Sequence, residues 1–114
     1  MASGDVQLKT DEFIQVLLTD AAVATENGVW VDLGPYRRDV NIHVSGITTG
    51  TVQIFGASHV TTQPDAATDH TQIGSNVTAD AHLALSGAPR WIKAKVSAWT
   101  EGTFNVGLVA SRQR

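Results

Sequence analysis

The segment VNIHV at residues 40–44 decides the fold class, because apolar and polar residues alternate in it without a break. Three further segments repeat the pattern: VQI at residues 52–54, IKAKV at residues 92–96 and FNVGL at residues 104–108. Such alternation places apolar side chains on one face of a β-strand and polar ones on the other, as in antiparallel sheets with one buried face. The sequence therefore predicts an all-β protein built from half-buried antiparallel strands.

Turn signals divide the chain into about eight short strands. Residues 46–50 and 100–102 are glycine-containing and predict tight connections, and residues 58–71 predict a surface loop. The predicted strands are residues 13–19, 29–33, 39–45, 51–57, 72–77, 81–85, 90–98 and 103–110. This spacing is typical of an antiparallel β-sandwich, including the jelly-roll arrangement.

Residues 13–19 are the ambiguous segment. Thr10 or Asp11 would serve as the N-cap of a helix that presents Phe13, Val16 and Leu17 on one face. The segment FIQVLLT is short and rich in strand formers, however, and Asn27-Gly28 further along is a strong turn signal. We expect a strand here, with the helix as the alternative.

Length and composition indicate one domain preceded by a polar arm. The chain has 114 residues, of which 42% are hydrophobic and only 17% charged, a composition that suits strands and turns better than long surface helices. Residues 1–10 lack periodicity and are expected to form an arm that is flexible in isolation, whereas residues 11–114 form the β-domain. Four residues of this arm are partner-binding candidates, namely Asp5, Val6, Leu8 and Lys9.

Charge excludes one class of partner and suggests another. The net charge of −3 argues against general nucleic-acid binding, which needs a strongly basic surface. The charged residues in segment 1–36 are mostly acidic, and those in segment 90–114 are mostly basic. Either the two ends neutralise each other within one domain, or they form complementary patches between subunits. No segment approaches the ~20 consecutive apolar residues of a membrane span, so no membrane partner is expected.

Four aromatic residues occupy alternate strand positions whose side chains are predicted to point away from the core. If Ile92, Ala94 and Val96 face the core, then Trp91 and Trp99 face away from it. The same reasoning places the other two outward aromatics, Trp30 and Phe55, on the solvent side. Outward aromatic residues are frequent anchors of protein interfaces. Alternatively, Trp30 and Trp99 fold over the strand ends as lids, and Trp91 forms a cross-strand aromatic pair; a β-bulge would reverse any of these assignments.

The residues give no sign of a reaction, a metal site or a cofactor. No two of the four histidines (His43, His59, His70 and His82) stand at metal-ligand spacing, and the loop residues around His59 and His70 match no calcium-loop pattern. The sequence contains no cysteine, nucleophile elbow or phosphate-binding loop. We therefore expect a non-enzymatic protein that acts through its surface.

Two segments resemble a known class of proteins. VWVDLGPYRRDVNIHVSGITTGTVQIFGAS from residue 29 and PRWIKAKVSAWTEGTFNVGLVA from residue 89 are similar to small β-sandwich structural proteins of tailed bacteriophages. These include capsid cement or decoration proteins, which sit on the outer head shell as dimers or trimers. This chain departs from the commonest pattern at residues 58–71, where a longer loop replaces a compact Asp-Gly turn.

The resemblance implies a virion protein, made in the host cytoplasm, that binds the major capsid protein on the outer capsid surface. It also implies a homo-oligomer, for which we expect a trimer rather than a dimer. Two other functions stay open: a tail or fibre component of the same kind of phage, and a carbohydrate-binding β-sandwich that stacks sugars on exposed tryptophans.

Overall fold

The computed structural model describes residues 5–10, 12–34, 39–57, 71–86 and 88–112, apart from the side chain of Asp5. Within these ranges the chain forms seven β-strands and no helix, which confirms the all-β prediction. No helix there is long and apolar enough to cross a membrane. The strands are β1 (Asp5–Lys9), β2 (Phe13–Ala22), β3 (Val31–Asp32), β4 (Asp39–Ala57), β5 (Thr71–Gln72), β6 (Ala81–Ser86) and β7 (Trp91–Ser111).

The strands form one antiparallel sheet around the long central pair β4 and β7. On the far side of β7 lies β2, followed by β1, while β5 and β6 pair with β4 and β3 pairs with β7. The beginning of β4 pairs with the end of β7, where Asp39 lies opposite Ser111, and the end of β4 pairs with the beginning of β7, where Ala57 lies opposite Trp91. The sheet therefore has two halves that share the same two strands.

We call these the β1 half and the β3 half. The β1 half contains β1, β2, β6, residues 39–45 of β4 and residues 104–111 of β7. The β3 half contains β3, β5, residues 51–57 of β4 and residues 91–98 of β7.

Both long strands bend sharply between the two halves. A straight strand of 19 residues, the length of β4, would run for roughly 60 Å, whereas the longest dimension of the molecule is 38 Å. The β4–β7 register shifts at several points between Ser45 and Val52, so the bend is built from β-bulges. Strands that turn a corner in this way carry one sheet onto itself and allow its two halves to pack face to face.

Three glycines form the bend, and we call them the glycine corner: Gly46, Gly50 and Gly102. Each has a positive φ, at 81°, 157° and 121° respectively. A Cβ on Gly46 would overlap the carbonyl oxygen of Thr103, and one on Gly102 would overlap the carbonyl oxygen of Gly46. The ring of Phe104, which is fully buried, lies against Gly50 and Gly102 in the space that side chains would occupy. The corner is thus closed by backbone-to-backbone contact.

One continuous core joins the two halves. It takes alternate residues from both parts of the long strands, so Ile42 and Leu108 of the β1 half belong to the same buried cluster as Ile54 and Ile92 of the β3 half. The inner faces of the two halves therefore meet, an arrangement compatible with the predicted sandwich. The other large core side chains that are fully buried include Ile14, Val16, Leu18, Leu33, Val40, Val44, Val52, Val96, Phe104 and Val106.

Several predicted strands are confirmed, and two predicted turns are wrong. Residues 13–19 lie within β2, so the strand interpretation is confirmed over the helix, and residues 81–85 lie within β6. Residues 46–50 and 100–102 are not turns between strands, because they are bends inside β4 and β7. A glycine cluster with bulges is locally similar to a hairpin turn, and only the pairing of β4 with β7 along their whole length distinguishes the two.

The short strands differ in length from the prediction. Only Val31 and Asp32 of residues 29–33 form a strand, and Val29, predicted to face the core, is 49% exposed. Residues 72–77 contribute a short strand and an isolated bridge between Val77 and Val52. Most of the predicted loop, residues 58–70, lies outside the described residues.

The prediction of a flexible arm is wrong for residues 5–9. They form β1, which pairs with β2 from Asp5 opposite Leu17 to Lys9 opposite Ile14. The side chain of Thr10 fixes the turn between the strands, because its hydroxyl oxygen accepts hydrogen bonds from the backbone N–H groups of Glu12 (3.2 Å) and Phe13 (3.1 Å). The segment forms a strand because β2 offers it a hydrogen-bonding edge, and the alternation of Val6 and Leu8 with polar residues was the available sequence signal.

We predict that Gly46→Ala strongly destabilises the fold. The positive φ alone costs about 1–3 kcal/mol for a residue with a Cβ, and the overlap with Thr103 adds to that cost. The matched control is Gly107→Ala on β7, where a Cβ meets no atom within 4 Å and the effect should lie within about 1 kcal/mol of zero. Urea unfolding of both variants measures the difference, and equal stabilities would show that the corner tolerates a side chain.

Candidate functional site

A buried lysine lies among aromatic rings on the outer face of the β3 half. Phe55 of β4 is directly opposite Lys93 of β7, so their side chains share a face. Trp30 precedes β3 and reaches the same place, and Trp91 and Ala57 pack at its margin. We call these five residues the lysine–aromatic cluster. The cluster is separate from the main core.

The ammonium group of Lys93 interacts with two ring faces. Its Nζ lies 5.0 Å from the ring centroid of Trp30 and 5.5 Å from that of Phe55. Lys93 is only 3% exposed, and a desolvated cation–π contact of this kind contributes about 2 kcal/mol. Burial lowers the pKa of the Lys93 ammonium below its ordinary value of 10.5, and the positive charge of Lys95 lowers it further. No ion pair involves Lys93 within the described part of the chain.

Trp30 adds a second polar group to this cluster. Its indole Nε1 is buried and has no hydrogen-bond acceptor among the described residues. A buried donor without an acceptor is rare in folded proteins and costs about 1–3 kcal/mol. The cluster thus holds a cation and an N–H donor in a mainly apolar environment.

Two of the four outward aromatic residues are buried: this corrects the solvent-side placement of Phe55, whereas a covered position was one of the two alternatives for Trp30. Trp30 is 6% exposed and Phe55 is 8% exposed, although both lie on the outward parity as predicted. Parity decides the face of the sheet, but the stacking of Trp30, Phe55 and Lys93 on one another removes that face from solvent. Trp91 is half-buried at the edge of the cluster.

Trp99 covers part of the core, as the alternative interpretation of this residue predicted. It is half-buried, packs against the main core, and donates a hydrogen bond from Nε1 to the backbone carbonyl oxygen of Gly102, at 2.9 Å. It therefore covers the glycine corner. Partner binding by Trp30, Phe55, Trp91 and Trp99 stays a prediction, with only Trp91 and Trp99 partly accessible.

An ion pair fixes the beginning of β7 to β3. The Nε and Nη2 atoms of Arg90 donate to the two carboxylate oxygens of Asp32, at 2.7 and 2.9 Å. The Arg90 guanidinium lowers the pKa of the Asp32 carboxyl below its ordinary value, and the hydrogen bond from the Gly34 backbone N–H adds to the effect. Here an acidic residue of the N-terminal region is neutralised by a basic residue of the C-terminal region within one chain.

The N-terminal partner-binding candidates lie on β1 and expose two apolar side chains. Among the described residues β1 pairs only with β2, so it forms the edge of the described sheet. Val6 is 49% exposed and Leu8 is 45% exposed, and Lys9 is exposed beside them. We call this surface the β1 edge. Such edges bind further strands readily.

A polar face covers the outside of the β1 half, and we call it the histidine face. His43 of β4 pairs with Gly107 of β7 on one side and with His82 of β6 on the other. Because Gly107 has no side chain, a shallow depression forms there, lined also by Gln7, Gln15 and Asn41. Local patterns do not indicate that the two histidines pair, because they are distant in the chain and only the β4–β6 register brings them together.

The remaining chemical candidates do not form a site within the described ranges. No group of three or more metal-ligating side chains occurs there. The loop residues His59, Asp65, Asp69 and His70 lie outside these ranges. Sequence reasoning also missed Lys93 as a cluster member, because a lysine at outward parity is ordinarily solvated; its position opposite Phe55 was the available signal.

No protein-family model and no curated protein matches the sequence. Among solved structures, the crystal structure of YomS, an SPBc2 prophage-derived protein, is similar to this chain with a TM-score of 0.53 and 13% sequence identity. The similarity covers 93% of this chain and 98% of that one. At this identity the likeness shows the fold, and it shows that the same fold accounts for almost the whole of both chains.

We predict that Lys93→Met changes the pH dependence of stability. Because the pKa of Lys93 is lowered in the folded state, the folded protein releases this proton before the unfolded chain does. The wild type should therefore gain stability relative to K93M as pH rises through the folded-state pKa toward 10.5. Thermal melts between neutral and alkaline pH test this, with Lys95→Met as the control for charge loss on the same strand. A difference that does not depend on pH would contradict the prediction.

We also predict that Asp32→Asn removes roughly 1 kcal/mol of stability at neutral pH, at the upper end for partly exposed pairs because the contact is bidentate. The folded-state pKa is lowered, so this contribution is complete above the unfolded pKa and is lost as pH falls through the folded one. Urea unfolding at neutral and acidic pH should show the wild type and D32N converging in acid. Glu101→Gln, at an exposed carboxylate of β7, should have little effect at either pH.

Proposed function

We propose that this chain is a structural protein of a tailed-phage particle, and specifically a decoration protein that binds the outer capsid surface. The observation that carries the proposal is the fold, which extends over 93% of this chain and 98% of a prophage-derived protein. The sequence resemblance to phage β-sandwich proteins, at residues 29–57 and 89–110, points in the same direction.

The surfaces on the described residues suit binding better than chemistry. The β1 edge lies beyond β2 at one side of the sheet, and the histidine face lies on the outside of the β1 half. A protein that bridges capsid subunits needs only modest contacts, because several identical contacts made by one oligomer combine through their effective concentration. We therefore propose a homo-oligomer, a trimer in preference to a dimer, with the major capsid protein as its partner.

The β1 edge is the proposed contact between this chain and its neighbours. Its backbone offers hydrogen bonds to a strand of another subunit, and Val6 and Leu8 supply apolar surface that is half-exposed in the single chain. This role retains the N-terminal candidates as partner-binding residues, although they act as an ordered strand and not as a free arm.

Carbohydrate binding through stacked tryptophans is less well supported. That function requires several exposed aromatic rings on one surface, whereas Trp30 and Phe55 are buried around Lys93. A tail or fibre protein would use the same β1 edge, and location on the particle distinguishes it from a head protein. Co-sedimentation with purified heads and with purified tails tests the proposal: binding to heads supports decoration, and binding to tails alone replaces it with the tail function.

We predict that Leu8→Lys disrupts assembly without unfolding the domain. A lysine on an exposed edge strand opposes strand addition, and Leu8 is already 45% exposed. Self-association, measured by light scattering after size exclusion, and capsid occupancy should each weaken at least tenfold. The matched control is Val23→Lys, at a valine that is 60% exposed and lies outside β1. Unchanged assembly of L8K would exclude the β1 edge as the contact.

A further inference from the structure

The histidine face carries two imidazoles at a spacing suited to a metal ion. His43 on β4 and His82 on β6 are directly opposite each other in the antiparallel register. Their ring centroids are 6.5 Å apart with an interplanar angle of 42°, and both residues are exposed. Directly opposite side chains on neighbouring strands have Cβ atoms only about 5 Å apart, so both rings reach the same point in solvent.

The distance between the rings is near that required for coordination of one ion. Zinc binds imidazole nitrogen at about 2.0–2.1 Å, which places each ring centre roughly 3.2 Å from the metal and, at a tetrahedral angle, two ring centres about 5.2 Å apart. The observed separation of 6.5 Å is longer than this, so the two rings must move closer together to share one ion. A small rotation of the exposed side chains brings the rings to tetrahedral geometry without a change in the backbone.

The described surroundings of the pair leave room for a cation and place no positive charge beside it. Gly107 lies on the other side of His43 and has no side chain to block the approach. The residues that line the adjoining depression include the amide side chains of Gln15 and Asn41 and no lysine or arginine. The strands that carry the two histidines are held in register from Asp39 opposite Ser86 to Val44 opposite Ala81, so the site is positioned by a rigid ladder.

We propose that His43 and His82 form a two-histidine site for a divalent transition-metal ion of the Zn²⁺, Ni²⁺ or Cu²⁺ type, with water completing the coordination. Imidazole is a preferred ligand of these ions, whereas Mg²⁺ and Ca²⁺ prefer oxygen. The site does not depend on the proposed phage function, and it lies on a different surface from the β1 edge.

Calorimetric titration of the untagged protein with Ni²⁺ tests the site. The wild type should bind one ion per chain, and either His43→Gln or His82→Gln should weaken binding at least tenfold, because a single surface imidazole holds the ion far less well than a pair. His59→Gln and His70→Gln are the matched controls and should bind as the wild type does. Circular dichroism establishes that each variant is folded.

Nuclear magnetic resonance with Zn²⁺ gives an independent readout. The ring signals of His43 and His82 should shift together at one equivalent of zinc, and those of His59 and His70 should not. The proposal is overturned if the wild type binds no ion, if H43Q and H82Q bind with undiminished affinity, or if the loss of affinity follows His59 or His70 instead.

Discussion

The close approach of β4 and β7 at the glycine corner is the constraint on which the rest of the structure depends. Gly46 and Gly102 touch through their backbones, and the Phe104 ring fills the space that a side chain at Gly50 would take. A side chain on any of these glycines would separate the paired strands at the point where both bend. Because the corner folds one sheet onto itself, Ile42 and Ile54, which belong to the same strand, reach opposite sides of a single core.

The corner also determines which surfaces are available to partners. The inner faces of both halves are used by the core, so contacts with other molecules fall on the outer faces and the edges. On the β3 half the outer face is covered by the stacking of Lys93 with Trp30 and Phe55. In the β1 half, β1 forms the edge of the described sheet and the histidine face lies on the outside beside Gly107. The two proposals, assembly through the β1 edge and metal binding by His43 and His82, therefore concern the same half of the molecule.

The lysine–aromatic cluster shows how a charged residue is accommodated in a mainly apolar site. Lys93 contributes its methylene stem to packing while the two ring faces replace part of the lost hydration of its ammonium. Burial of the ammonium lowers the pKa of Lys93, and the positive charge of Lys95 lowers it further. The ion pair between Asp32 and Arg90 at the beginning of the same strand holds β3, and with it Trp30, in position beside the lysine.

The sequence by itself determined the fold class and the inner face of most strands, because alternation in residues 40–44 and 104–108 reflects burial on one side of a pleated strand. Tertiary structure alone decided that residues 46–50 and 100–102 are bends in continuous strands, since a local glycine pattern is the same in a turn and in a bulged corner. It also decided the burial of Trp30 and Phe55 and the pairing of His43 with His82. These features depend on register between segments distant in the chain, which local periodicity does not specify.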